Sequence, residues 1–95
     1  MLSVEEEIEM LTEAGLLTER QAEAFVYREV EAVPREAAAE EMGITASTLD
    51  DYRSDAVEKV KKARATVTAV ETIRFQADRD DDVGRDDRPR RTGTW

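Results

Sequence analysis

The 95-residue chain contains no cysteine and no histidine. Without cysteine it can form neither a disulfide nor a thiolate metal site, and without histidine it lacks the commonest general base and metal ligand. The sequence also has no glycine-rich phosphate loop. We therefore expect a protein that is not an enzyme and that uses no cofactor and no bound metal.

Long apolar runs are missing as well. None approaches the roughly 20 residues that span a bilayer, and acidic residues stand near the N-terminus where a signal peptide carries basic ones. We expect a cytoplasmic protein without a membrane segment. A chain of 95 residues has room for one small domain with a modest core.

Acidic residues outnumber basic ones by 23 to 14, which gives a net charge of −9. Residues 1–44 hold twelve acidic and three basic residues, residues 45–75 hold five and six, and residues 76–95 hold six and five. The acidic N-terminal half argues against phosphate binding without regard to sequence. Together with abundant Asp, Ala, Val and Thr, this bias resembles the proteins of extreme halophiles and predicts a salt-rich cytosol.

Two helices are predicted near the N-terminus. Ser3 with Glu6, and Thr18 with Gln21, each fit a capping box at a helix start, and Gly15 ends the first helix. Apolar positions follow both caps at helical spacing: Val4, Ile8 and Leu11 in the first helix, and Ala22, Phe25, Val26, Glu29, Val30 and Val33 in a mostly apolar stripe of the second, which should end near residue 31.

Two further helices are predicted after Pro34. This proline suits the first turn of a helix over Arg35–Met42, and Gly43 supplies the left-handed residue that closes it. Thr45 then caps a long fourth helix, which meets no helix breaker before Gly84.

Two parts of this long helix differ in composition from the rest. Residues 66–73 are rich in β-branched side chains, and a strand is the alternative, but their apolar positions continue the preceding helical register, so helix is favoured. Residues 77–95 combine mixed charge, Gly and Pro with few apolar side chains. We expect this segment to be a disordered charged tail, which leaves residues 1–76 as the folded domain.

The third and fourth helices have the form of a helix-turn-helix. The segment "MGIT" (Met42–Thr45) provides a sharp turn, and the second helix of such a pair presents its N-terminal end to the DNA major groove. Between the two helices we expect Ala38, Met42, Ile44 and Leu49 to pack, whereas residues 46, 47, 48, 50, 51 and 54 should face outward.

Leu17–Val60 resembles the four-helix DNA-binding module of LuxR-type regulators and of sigma-factor region 4, and resembles archaeal Tfx-like transcription regulators more closely still. The motifs that carry the resemblance are "LTERQ" from Leu17, "REAAAEEMGIT" from Arg35 and "STLDDYRSDAVEKVKKAR" from Ser47. They cover about half of the chain. The resemblance implies an all-α helix-turn-helix bundle of about four helices that binds duplex DNA sequence-specifically near a promoter. It would regulate transcription by altering access or recruitment of the transcription machinery.

The same resemblance implies which residues approach DNA. Thr45 matches the cap of the recognition helix, which lies near a phosphate, and Arg53 matches a position that faces phosphate or a dimer partner. Asp50 and Asp51 depart from the family, which often has Lys, Asn or Arg there, although a carboxylate can accept a hydrogen bond from cytosine N4. At about 1 M salt the Debye length of about 3 Å screens their repulsion of phosphate. The implied contacts are Thr45, Ala46, Ser47, Thr48, Asp50, Asp51, Arg53 and Ser54.

Lys59, Lys61, Lys62 and Arg64 form the one basic cluster of the fourth helix, in which Lys59 and Lys62 share a face. One interpretation is phosphate contact by Lys59 and Lys62 beside the groove. The other is a solvated face supported by pairs such as Glu58 with Lys62. The sequence fits both equally.

A heptad seam along the fourth helix also has two interpretations. Within one chain, its alanine-rich part would receive the first helix; between two chains, it would form a homodimer that sets the spacing of two half-sites. We favour the dimer, because the last helix of LuxR-type modules dimerises and this one is longer than such a module needs. The seam contains Leu49, Ala56, Ala63, Val70 and Ala77 at a spacing of seven, with Val60 and Val67 interleaved and Arg53 and Arg74 interrupting it; the predicted dimer contacts are Val60, Ala63, Val67 and Val70.

Asp50 and Asp51 also support a rival hypothesis, in which the helix-turn-helix scaffold binds a protein and not DNA. Its acidic surface would then bind a basic partner. A weaker version is an acidic DNA mimic that titrates another DNA-binding protein.

Overall fold

The computed structural model describes residues 1–82, with side chains described as far as Asp78. Within this range the chain is all-helical and has no strand, so the all-α prediction of about four helices is confirmed and the strand alternative for residues 66–73 is wrong. The helices are α1 (Val4–Glu13), α2 (Glu19–Phe25, continued by a π-helical segment Val26–Val30), α3 (Arg35–Met42) and α4 (Ala46–Asp82). The chain divides after Ala63 into two compact units.

Local side-chain caps begin three of these helices, as predicted. Ser3 Oγ accepts from the Glu6 N–H at 3.1 Å while the Ser3 N–H donates to Glu6 Oε1 at 2.8 Å. Thr18 and Gln21 form the same reciprocal pair at α2. At the start of α4, Thr45 Oγ1 accepts from the Thr48 N–H at 3.1 Å. Each cap satisfies a backbone donor that has no partner within its helix.

The π-helical segment after α2 was not predicted. It closes with the Glu31 N–H donating to the Val26 carbonyl at 2.8 Å, a bond that spans five residues where an α-helix spans four. The extra residue shifts the side chains that follow, so Val26 is fully buried whereas Val30 is 52% exposed. The predicted stripe therefore fails at Val30, and Ala24, which lay outside that stripe, is fully buried.

A strained residue lies between the π-helical segment and α3. Ala32 has φ +56°, in the left-handed region that favours glycine. The backbone around it is fixed by two hydrogen bonds: the Val33 N–H donates to the Tyr27 carbonyl at 2.7 Å, and Arg28 Nη1 donates to the Val33 carbonyl at 2.8 Å. This turn carries the chain directly into Pro34 at the start of α3.

Two apolar clusters form the core of the first unit. One packs α3 against α2 and α4, and it confirms Ala38, Met42, Ile44 and Leu49 as packing residues. The other contains Ala56 of α4, and Ile8 and Leu11 of α1 pack against it. The buried members are Ala24, Ala38, Ala39, Met42 and Leu49 in the first cluster and Leu17, Ala22 and Ala56 in the second.

The second unit begins at Arg64, and its described part is helical to Asp82. The helix thus extends past Gln76, where the sequence analysis ended the folded domain. The remainder of the predicted disordered tail, residues 83–95, lies outside the described residues. None of the described helices is both long enough and apolar enough to cross a membrane.

Candidate nucleic-acid interface

The turn between α3 and α4 is closed by two backbone hydrogen bonds. Gly43 adopts φ +70° and ψ +33°, its N–H donates to the Glu40 carbonyl at 3.1 Å, and the Ile44 N–H donates to the Ala39 carbonyl at 3.0 Å. This pair of bonds is the Schellman arrangement, which requires a left-handed residue at the end of the helix. It ends α3 two residues before the cap of α4 and leaves Ile44 packed against the first core cluster.

The outer face of the first turns of α4 carries short polar side chains. Their exposure agrees with the prediction for Ser47, Thr48, Asp51 and Ser54. Ala46 differs, because it is half-buried and packs against the first core cluster. It also lines an open depression of about 300 Å³, together with Glu36, Ala39, Glu40, Ile44 and Thr45.

Asp50 forms an ion pair with Arg35 on this surface. Its carboxylate accepts from Arg35 Nε at 3.1 Å on both oxygens and from Arg35 Nη2 at 2.9 Å on Oδ2. This hydrogen bonding, followed by the charge of the guanidinium, lowers the pKa of Asp50. Arg35 also donates to Glu36 at 3.2 Å. The neutralisation of one of the two aspartates by an arginine at the start of α3 was not predicted.

Two basic residues of the candidate interface are bound within the chain. Arg53 Nε donates to Glu29 Oε2 at 2.6 Å, which joins α4 to the π-helical segment. Lys59 Nζ donates to the Leu16 carbonyl at 3.1 Å and to Gln21 Oε1 at 2.8 Å. Lys59 therefore joins α4 to the turn between α1 and α2.

The structure separates the candidate DNA contacts into two groups. Thr45, Ser47, Thr48, Asp50, Asp51 and Ser54 lie within the first three turns of α4. Lys59 follows Ser47 by twelve residues, about 18 Å along a helix, and its ammonium is directed to Gln21. Lys62 is exposed. The predicted dimer contacts are also divided: Val60 and Ala63 are half-buried in the first unit, whereas Val67 and Val70 belong to the second.

The unit that contains the candidate interface has a large excess of acidic residues. Residues 1–63 hold sixteen acidic and seven basic residues, so this unit carries the whole net charge of −9. Three of its arginines form ion pairs with carboxylates, namely Arg20, Arg35 and Arg53. Affinity for a polyanion at this surface must therefore depend on hydrogen bonds and fit more than on net charge.

Glu7 of α1 and Glu31 form a pair of interacting carboxyl groups. The pKa of Glu7 is raised, chiefly because its side chain shares a hydrogen bond with Glu31, and further by burial and by the charge of Glu31. Glu7 Oε1 is buried and has no hydrogen-bond partner. The charge of Glu31 makes the ionised form of Glu7 less favourable than that of an exposed carboxyl group.

Comparison with known proteins adds no relative: no family model matches the chain, and neither curated proteins nor solved structures give a significant match. The resemblance to LuxR-type and Tfx-like regulators therefore depends on the quoted motifs.

Proposed function

We propose that the chain is a sequence-specific duplex DNA-binding transcription regulator, with the first turns of α4 in the major groove. The observation that carries this proposal is the α3–α4 pair itself. The left-handed Gly43 closes α3, Leu49 buries the inner side of α4, and Ser47 is exposed at its N-terminal end. This combination is typical of a helix-turn-helix, whose second helix enters the major groove by its N-terminal residues.

The side chains on this face suit direct contacts with DNA. The hydroxyls of Ser47, Thr48 and Ser54 can donate to and accept from base edges or phosphate oxygens. Asp51 can accept from the exocyclic amine of cytosine. Asp50 repels phosphate less than a free aspartate because Arg35 binds it. The surface therefore offers both hydrogen-bond donors and hydrogen-bond acceptors on short side chains.

The acidic composition fits a salt-rich cytosol. High salt removes most of the counterion-release gain that a basic surface would provide, and it also screens the repulsion between carboxylates and phosphate. In such a medium, lysines add little to the affinity of a regulator for DNA, and aspartates reduce that affinity little. We infer that it recognises DNA by hydrogen bonds and shape, as two copies that engage two half-sites near a promoter.

A binding titration tests this function. Fluorescence anisotropy of duplexes selected from a random pool, and of the duplex upstream of the chain's own gene, would be recorded from low to multimolar potassium chloride. We expect saturable, sequence-preferring binding that persists in high salt. Absence of binding to both kinds of duplex at every salt concentration refutes the proposal.

Ser47→Glu provides the residue-level test. It adds a charge and bulk at the exposed start of α4, so we expect specific binding to be lost while circular dichroism shows an unchanged fold. Thr68→Glu is the matched control, because Thr68 is exposed on the same helix outside the first unit. Equal affinities of the two variants would remove this face from the interface.

One observation favours the protein-binding alternative. Glu36 and Glu40 line the depression beside the turn, and Asp51 is exposed on α4. A basic peptide or protein would complement these carboxylates. Under this alternative the chain binds no duplex, and Glu36→Gln combined with Glu40→Gln weakens the complex with its basic partner.

A further inference from the structure

An apolar stripe runs along the helix of the second unit. Val67 is 55% exposed and Ile73 is 66% exposed. Helical spacing places Val67, Val70, Ile73 and Ala77 on one face. Val70, between Val67 and Ile73, is half-buried. Exposed branched apolar side chains grouped on one helix face are typical of a surface that another protein covers.

Between Arg64 and Asp78, where the side chains of this unit are described, charged residues lie along one flank of the stripe. Arg64, Glu71 and Asp78 are spaced by seven, so they form a single row beside Val67. The opposite flank carries Thr66 and Ala69, which have no charge. Arg74 lies within the stripe itself. This one-sided placement of charges favours one orientation of a partner helix over the other.

A second copy of this helix complements the row in only one direction. In a parallel pair, the charged flank of each helix faces the uncharged flank of the other, and the two Arg74 side chains meet across the seam. In an antiparallel pair, the charged flank faces itself. Arg64 then lies beside the partner's Glu71, and Glu71 lies beside the partner's Arg64.

We propose that a second copy of the chain covers the stripe with its helix antiparallel, in the register that pairs Val67 with the partner's Val70. The two Arg74 side chains are then separated by about 16 Å along the helix axis, which removes their repulsion. The reciprocal Arg64–Glu71 ion pairs form on either side of the central valines.

The charged row also fixes the register. Sliding the pair by one heptad in one direction sets Glu71 against the partner's Glu71, and sliding it in the other direction sets Arg64 against the partner's Arg64. Both slips place like charges across the two-fold axis, an arrangement that suppresses wrong pairings. The slip that sets Glu71 against the partner's Glu71 also brings Arg64 beside the partner's Asp78. In the proposed register Asp78 lies beside the partner's uncharged Val57, so opposite charges meet and no like charges of the row do.

This inference specifies the dimer of the proposed function and rests on it in that respect, but it is measured without DNA. Sedimentation velocity of the full chain would be run over a range of concentrations, at the lowest salt at which circular dichroism shows it folded. We expect a concentration-dependent dimer. A monomer at all concentrations overturns the inference and leaves DNA binding by a single copy to be judged separately.

Charge reversal tests the pairing. Arg64→Glu and Glu71→Arg each place like charges across the interface twice, so each should weaken dimerisation by about tenfold or more. The double variant exchanges the two charges and should restore the wild-type dissociation constant. Thr72→Glu, on the side of the helix away from the stripe and not three or four residues from Arg64 or Glu71, should leave it unchanged. Single reversals without effect, or a double variant that fails to recover, overturn the proposed pairing.

Spin labels test the direction of the helices. The chain has no cysteine, so Ala69→Cys and Gln76→Cys each give one labelled site, and these two sites are one heptad apart. In a parallel dimer both sites give the same distance between copies. In the proposed dimer the two copies of residue 69 are nearly level, whereas the two copies of residue 76 are offset by about 22 Å along the axis. Equal distances at the two sites overturn the antiparallel arrangement.

Discussion

Arg35, the first residue of α3, binds the carboxylate of Asp50 in α4 through both its Nε and its Nη2 atoms, at 2.9 to 3.1 Å. The contact crosses the turn at Gly43 and joins the two helices of the candidate interface on their solvent side. Leu49, next to Asp50, joins them on the buried side. The angle between α3 and α4 is therefore fixed by an ion pair on the solvent side and by an apolar cluster on the buried side.

The first prediction concerns the pH dependence of this pair. Arg35 lowers the pKa of Asp50 below its usual value of 3.8. The stabilisation is therefore complete above that value and disappears as pH falls through the lowered pKa. We expect Asp50→Asn to lower the melting temperature at neutral pH and to match the wild type in strong acid. Thermal unfolding followed by circular dichroism measures this, and a deficit that stays constant down to strong acid would contradict it.

The second prediction concerns Glu7, whose contribution to stability changes with pH in the opposite direction. The pKa of Glu7 is raised above its usual value of 4.5 by Glu31, so the folded state binds a proton more readily than the unfolded chain. This contribution is fully present below pH 4.5 and is lost as pH rises through the raised pKa. We expect Glu7→Gln to raise the melting temperature at neutral pH. Glu9→Gln, at an exposed position of the same helix, serves as the control and should change it little.

The third prediction assigns Lys59 a structural role. Its ammonium donates to the Leu16 carbonyl and to Gln21, so Lys59→Gln should lower the free energy of unfolding by about 1 kcal/mol. Lys61→Gln removes an exposed lysine of the same cluster and should have almost no effect on stability. Urea unfolding of both variants separates the two cases. Equal stabilities would show that the contacts of Lys59 contribute nothing.

The fourth prediction uses the left-handed residue before α3. An L-residue in this conformation costs roughly 1–2 kcal/mol, and glycine removes that cost but loses about 0.5–1 kcal/mol through its greater freedom in the unfolded chain. We therefore expect Ala32→Gly to stabilise the protein by up to about 1 kcal/mol. Ala37→Gly, at an exposed position within α3, should destabilise it by about 1 kcal/mol. Chemical denaturation distinguishes these opposite signs.

Sequence predicted the helix starts and the α3–α4 turn because each depends on residues close in the chain. Thr18 finds Gln21 three residues away, and Gly43 needs only its own backbone freedom. Leu49 was predicted to be buried from its spacing to the turn. These signals are local, so a single sequence contains them in full.

Side-chain partners far apart in the sequence were missed for a physical reason. Arg35 and Asp50 are fifteen residues apart, and Lys59 and Gln21 are thirty-eight apart. Either pair forms only once helices have packed at a particular angle, and spacing alone does not give that angle. Ala46 was wrongly predicted to face outward for the same reason, because its burial depends on how closely α3 packs against α4.

The π-helical segment has a consequence for any attempt to align this chain with other proteins. A helix with one five-residue turn accommodates one residue more than a continuous α-helix of the same length. The end of this helix and the turn that follows it therefore lie one residue further along the chain than in a protein whose second helix is regular throughout. A gapless alignment to a protein with a regular second helix would match one side of this segment and shift the other by one position. A one-residue gap between Val26 and Val30 restores both.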